Sequence, residues 1–286
     1  MKKILITGKG SFIGSHVEKW LKKEEEKYIV DTLDMTNDNW REMSFSGYDV
    51  VYHVAGIAHV SNKKKLIPLY FKVNRDLAIE VAKKSKAEDV KQFIFMSSMI
   101  IYGKDNKVKR YSHIDTEKIN PLNAYGKSKA EADLEIQKLK SASFEPAIIR
   151  TPVVYGKGCK GNFPRLVKFA LKFPFFLNIR NQKSMIYIDN LCEFVKLLID
   201  NEASGVFYPQ NKEYASTKEI VKIVRLRNNK KYRETKIFNW MLSICTYICP
   251  VINQVFGNKT YDLKISNHFD FKYNIVGFED SVKESL

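Results

Sequence analysis

Thr7-Gly8-Lys9-Gly10-Ser11-Phe12-Ile13-Gly14 follows the apolar run Ile4-Leu5-Ile6 and precedes a stretch carrying His16, Val17 and Leu21 at helical spacing. A strand, a glycine-rich turn and a helix in that order form a phosphate cradle. Gly8 permits a sharp turn off the strand, Gly10 keeps the backbone bare for a pyrophosphate, and Gly14 lets the helix pack close to the sheet. The first amides of the helix, opened by Phe12 and Ile13, then face the phosphates with the positive end of the helix dipole. A glycine pattern alone is weak, and its position between a strand and a helix strengthens it. Ser11 stands where the usual pattern has a middle glycine, which requires a negative φ at that residue.

Outward from this turn the first half alternates between β-branched runs and amphipathic stretches. Strands are predicted at Lys3–Ile6, Tyr28–Leu33, Val50–His53, Phe93–Ser97 and Ala147–Arg150, and helices at Phe12–Leu21, Tyr70–Ser85 and Ala124–Lys140. That rhythm predicts an α/β fold: a doubly wound parallel sheet of Rossmann type, with ligands outside the carboxyl ends of its strands. After Gly156 the spacing loosens. The expected division is 1–156 for the dinucleotide-binding domain, with a return segment near 184–200, and 157–286 for a smaller, mostly helical substrate-binding region.

The acid that meets an adenosine ribose is expected at the end of the second strand, roughly 20 residues beyond the turn. Asp34 is the better placed, with Asp31 as competitor. A carboxylate there accepts ribose hydroxyls and repels a 2′-phosphate, which favours NAD; Lys9 and Arg41 pull toward NADP, so the preference stays open.

Tyr125-Gly126-Lys127-Ser128-Lys129 puts a phenol and an ammonium four residues apart, on one face of a predicted helix. A neighbouring cation favours phenolate and draws a phenol's pKa toward the working range. Tyr125 could then exchange a proton with a sugar oxygen while hydride moves at a nicotinamide. Ser98, at the carboxyl edge of its strand, supplies a hydroxyl to position the reacting oxygen. The spacing alone decides nothing, since Tyr-x-x-x-Lys also starts at Tyr208, Tyr214 and Tyr232; context selects Tyr125.

With these motifs in order the chain resembles the extended short-chain dehydrogenases/reductases of the NAD-dependent epimerase/dehydratase family. The resemblance runs from Thr7 to Gly14 through His53-Val54-Ala55-Gly56, Val73-Asn74 and Phe93 to Ser98. It continues with Ile101-Tyr102-Gly103, Asn120-Pro121, Tyr125 with Lys129, Arg150-Thr151-Pro152, Val154-Tyr155-Gly156 and Ile186 to Leu191. It implies that Tyr125, Lys129 and Ser98 are catalytic. It also implies that Ala55, Gly56 and Tyr155 meet the cofactor, that Asn74 is structural, and that Asn162 and Lys183 meet a nucleotide-sugar's phosphates. Lys183 stands where an arginine is usual and lacks its bidentate fork. Met99-Ile100 replace the acidic pair of family dehydratases, which argues against 4,6-dehydration. Arg225, Arg227 and Arg233 are candidates for a second phosphate contact. The expected activity is therefore hydride transfer at a nucleotide-sugar, as epimerase or 4-ketoreductase, in a homodimer.

Composition bounds the rest. Of 286 residues, 44% are hydrophobic and 28% charged, which excludes disordered and fibrous classes. Three apolar residues after Met1-Lys2-Lys3 are too few for a signal-peptide core, and a cytoplasmic chain is expected. Cys159, Cys192, Cys245 and Cys249 show no zinc-type pairing, so neither metal nor disulfides are expected. The formal charge of +16, from 48 Lys+Arg against 32 Asp+Glu, is scattered as a Lys-rich solvated surface. It leaves a non-catalytic dinucleotide-sensing or RNA-binding relative as the alternative function. The apolar stretch Trp240 to Phe256 is short for a membrane span and is broken by Pro250. It reads as buried core or a lid, with membrane-surface contact as the alternative.

Overall fold

The computed structural model describes residues 1–58, 64–103, 112–235 and 256–286. In chain order the strands are β1 (Lys2–Thr7), β2 (Tyr28–Leu33), β3 (Val50–His53), β4 (Gln92–Ser98), β5 (Glu145–Thr151), β6 (Val153–Tyr155), β7 (Phe175–Leu177), β8 (Met185–Tyr187), β9 (Gly205–Phe207) and β10 (Arg233–Thr235). The helices are α1 (Phe12–Leu21), α2 (Ile67–Phe71), α3 (Leu77–Ala87), α4 (Ala124–Gln137), α5 (Asn162–Lys172), α6 (Ile188–Asp200), α7 (Thr217–Arg227), α8 (Leu263–Ser266) and α9 (Phe278–Glu284).

Two compact units share the chain. The first comprises Met1–Gly103, Glu117–Thr151 and Leu191–Pro209; the second comprises Lys104–Thr116, Pro152–Asn190 and Gln210–Leu286. The division thus falls at Thr151 rather than 156, and the returning segment is Leu191–Pro209 rather than 184–200. The reason is β9, which pairs with β5 and so draws the residues after α6 into the sheet.

In the first unit six parallel strands take the order β2-β1-β3-β4-β5-β9. Both faces of such a sheet are covered, so the centres of its strands are apolar. Ile4, Leu5 and Ile6 in β1, Val51 and Tyr52 in β3 and Phe93, Ile94 and Phe95 in β4 are fully buried accordingly. Leu5, Val51, Phe93, Phe95 and Ile148 form a core with Trp40, Phe45, Val81, Ile136 and Phe144. Because β1 lies between β2 and β3, the winding reverses beside β1, and the carboxyl ends of β1 and β3 flank the resulting crevice.

Two predicted helices differ in detail. Tyr70–Ser85 is α2, a π-helical turn over Lys72–Asp76, and then α3. The extra residue in that turn places Asn74 in the interior. There its carboxamide accepts from the Ile57 amide at 2.8 Å and donates to the Ile57 carbonyl at 3.0 Å. α4 ends at Gln137, three residues before Lys140, with Asn123 capping its start by accepting from Gly126 N at 2.8 Å.

Helix outweighs strand among the described residues of the second unit, as expected. Besides α5, α7, α8 and α9 it holds two parallel strand pairs, β6 with β8 and β7 with β10. Amides and hydroxyls are buried throughout its interior. Gln210 bonds Ser184 and Ser266, while Asn181 bonds Thr217 from both ends of its carboxamide. Among the described residues no helix is long and apolar enough to cross a membrane. Residues 240–255 of the apolar stretch, with Cys245 and Cys249, lie outside the described residues.

Candidate active site

Gly8 leaves β1 with φ +97°, and a Cβ there would sit 2.9 Å from both the Cα and N of Ala55. The β1 turn and the loop after β3 therefore touch backbone to backbone, at a distance only glycine allows. Gly10 has φ +76° and nothing within 4 Å of where a Cβ would project. A bare backbone facing open space at the start of a helix is what a pyrophosphate needs. Ser11 meets its requirement with φ −69°, and its hydroxyl accepts from Gly14 N at 3.1 Å as the cap of α1. A Cβ on Gly14 would come within 2.6 Å of that hydroxyl, which ties the two residues together. Phe12 and Ile13, both half-buried, open the helix behind them. These residues fit a dinucleotide.

Asp34 is exposed just beyond β2, where it accepts from the Thr36 amide at 2.9 Å. Hydrogen bonds from Thr36, assisted by the Lys9 charge, hold its carboxyl below the usual range. Its competitor Asp31 is occupied by the Tyr48 hydroxyl at 2.8 Å. Arg41 is also engaged, paired with Glu80 at 2.5 and 2.7 Å and with Asp38.

β4 and α4 carry the candidate catalytic side chains. Ser98 ends β4, and its Oγ accepts from the Ile100 amide at 3.3 Å. Its hydroxyl lies beside the phenol of Tyr125, one residue inside the start of α4, and favours the charged form of that phenol. The ring of Tyr70, from α2, lies 6.0 Å from that of Tyr125 and was not singled out from the sequence. Lys129 follows one turn along α4, buried, with Nζ donating to the Met96 carbonyl at 2.7 Å and 4.7 Å from the centre of the Phe95 ring. A Cβ on Gly56 would stand 3.4 Å from that Nζ and 3.0 Å from Asn74 Oδ1, so the loop after β3 closes over the lysine.

The electrostatics correct one expectation. Tyr125 is not drawn down by its lysine: burial, with a smaller push from Tyr70, raises the phenol, and the Ser98 hydroxyl only partly opposes this. Lys129 moves instead, lowered to about 8 because burial penalises its charge, with Asp133 working against the burial. Burial thus favours the neutral form of both groups, while Asp133 favours the ammonium of Lys129. Met99 is buried and Ile100 half-buried directly after Ser98, so no acid–base pair follows the hydroxyl.

Three expected site residues belong to the second unit. Tyr155 is fully buried, with its hydroxyl bonded to Ser281 at 2.5 Å and Asn211 at 2.8 Å. Both bonds are internal to that unit, so Tyr155 is a packing residue and not an exposed cofactor contact. Asn162 is exposed at the start of α5, and Lys183 is half-buried, its backbone exchanging bonds of 2.9 Å with Ala215. Of the three arginines, Arg225 is excluded as a phosphate ligand. Its guanidinium is buried and donates to the carbonyls of Ala170, Phe173 and Lys231, all at 2.7 Å. Arg227 and Arg233 are exposed.

Residues 4–209 match the model of the NAD dependent epimerase/dehydratase family. The chain belongs to the NAD-dependent epimerase/dehydratase family. It is therefore an enzyme, with NAD as the family's cofactor. A UDP-glucose 4-epimerase of Vibrio cholerae is 30% identical over 281 residues, covering 90% of this chain and 83% of that one. Among solved structures, a UDP-glucuronic acid 4-epimerase from Bacillus cereus in complex with NAD superposes with a TM-score of 0.74 at 19% identity, covering 99% of this chain and 94% of that one. A dTDP-4-dehydrorhamnose reductase from Bacillus anthracis in complex with NADP gives 0.72 at 17% identity, covering 100% and 98%. These structural likenesses are of fold.

Proposed function

We propose that this family member transfers hydride at the sugar ring of a nucleotide-sugar, as a 4-epimerase or 4-ketoreductase, with Tyr125 as its acid–base group. The observation that carries the reading is the convergence of the Ser98 hydroxyl at the end of β4 on the Tyr125 phenol, with Lys129 one turn further along the same helix face. Ser98 takes the Ile100 amide on its oxygen, which leaves its own proton for the phenol or for a sugar oxygen. Where it goes to the phenol, the phenolic proton of Tyr125 is left to point at a sugar oxygen. A phenol held protonated is suited to donate to a ketone, which fits the reducing half of either reaction. The nicotinamide ring, when bound, supplies or accepts the hydride.

The backbone from Gly8 to Gly14 would hold the pyrophosphate, and Asp34 the adenosine ribose. Ala55 and Gly56 would border the nicotinamide end. With Asp31 and Arg41 both engaged, an exposed Asp34 favours NAD over NADP. Asn162 and Lys183 are assigned to the nucleotide-sugar's phosphates, and the enzyme is taken as a homodimer paired through α4, where Leu134 is exposed.

Tyr125→Phe is expected to lower turnover of an accepted nucleotide-sugar about 10²–10⁴-fold with the cofactor still bound, the range for a lost acid–base group. Unchanged turnover would remove the reading. Stoichiometric NAD retained through purification indicates the epimerase; a site filled reversibly by added cofactor indicates the reductase. The alternative of an RNA-binding relative predicts an affinity for RNA that falls steeply with salt.

A further inference from the structure

We propose that Asp133, fixed by Arg150 and Ser97, is a positioning residue that keeps Lys129 protonated beside Tyr125; this rests on the functional reading above. Tyr125, Lys129 and Asp133 are spaced four apart along α4 and share one face of it. Asp133 is fully buried and holds four side-chain bonds. Arg150 grips it with Nη2 at 2.8 Å and Nε at 3.0 Å, Ser97 Oγ donates at 2.5 Å, and Gln137 Nε2 donates at 2.7 Å. The far side of the Arg150 guanidinium donates to the hydroxyls of Tyr102 at 2.7 Å and Tyr208 at 3.2 Å.

Every one of these partners donates to the carboxylate, so its place beside α4 is fixed. Stability alone is a weak reason to bury an ion pair, since apolar residues of similar size often serve as well. One turn from the site's lysine, however, the anion has a second consequence. Among the described residues, the other groups that touch Lys129 carry no negative charge. From β3 comes His53, a buried imidazole lowered to about 3 by burial and by the lysine's own charge. From β4 come the Met96 carbonyl and the Phe95 ring, and from the loop after β3 the Gly56 backbone. Arg150, from β5, spends its charge on Asp133. Asp133 is the anion that opposes the burial of the ammonium.

The test reads Lys129 directly, by ¹³Cε-lysine NMR titration of the full chain, with the resonance assigned by Lys129→Arg. Asp133→Asn is expected to move the Lys129 midpoint down by about one unit, tenfold in proton affinity, and Asp133→Glu to restore it. Should Asp133→Asn fail to fold with Arg150 stranded, the double variant Asp133→Asn with Arg150→Met strands neither charge and is expected to lower the midpoint too. A folded single or double variant whose Lys129 titrates as in the parent overturns the proposal. Because this measurement needs no turnover, it is independent of the Tyr125→Phe result. Lost activity in Tyr125→Phe with an unmoved Lys129 sinks only this inference, whereas retained activity sinks the functional reading.

Discussion

The two units solve the problem of an interior differently. The first buries apolar runs at the centres of its strands and keeps buried polar side chains mainly to the strand ends and α4, as at Thr7, His53, Gln92, Ser97, Lys129, Asp133 and Arg150. The second fills its interior with Asn181, Ser184, Gln210, Asn211 and the hydroxyls of Tyr155 and Tyr273, bonded to one another and to backbone. An apolar interior leaves a handful of buried polar side chains free to specialise. A polar one spends each of them on satisfying another, because an unpaired buried donor or acceptor is costly.

That contrast can be broken most directly at Gln210. Gln210→Leu removes the acceptor of the Ser184 hydroxyl, which keeps the Tyr261 amide as donor, and the donor to the Ser266 hydroxyl, which keeps the Asp262 carbonyl as acceptor, at about 1–3 kcal/mol for each group left short of a bond. Denaturant unfolding should show a loss of that order, and a loss within error would mean the network is not what holds the second unit. Acid compares the units side by side. His53 of the first is lowered to about 3 and His268 of the second to about 4, both by burial. Since the unfolded chain protonates both near 6.5, it binds more protons than the folded one below that pH, and stability falls as pH drops from 6.5 toward 3 to 4. His53→Leu and His268→Leu should each flatten that decline when unfolding midpoints are compared between pH 7 and pH 4.5. Identical slopes in parent and variants would dismiss these groups as its cause. The smallest effect sharpens the phosphate turn: Ser11→Ala should cost about 1 kcal/mol as a lost helix cap, and Ser11→Gly only a few tenths. Equal costs would show that the Gly14 bond contributes nothing.

The first unit was readable because its periodicities are local. β2, β3 and α1 fall at the predicted residues, since alternating strands and helices write their spacing into consecutive positions. The extra residue at Lys72–Asp76 was not readable, because it answers to a carboxamide bond with Ile57, seventeen positions away. Tyr155 misled for a related reason. An aromatic in a matching motif looks the same whether its hydroxyl meets a ligand or Ser281, 126 positions later. Asp133 had a signal that went unused, the same four-residue step that joins Tyr125 to Lys129.

Local order alone determined the glycine turn after β1, the parallel sheet and the common helix face of Tyr125 and Lys129, since each depends on residues within a few positions of one another. Only the tertiary structure decided which groups are charged and which are occupied. Burial raises Tyr125 and lowers Lys129, Asp31 and Arg41 are engaged while Asp34 is exposed, and Arg225 is turned inward onto carbonyls. Solvation and pairing are set by atoms that folding brings from distant parts of the chain, and no local pattern encodes them.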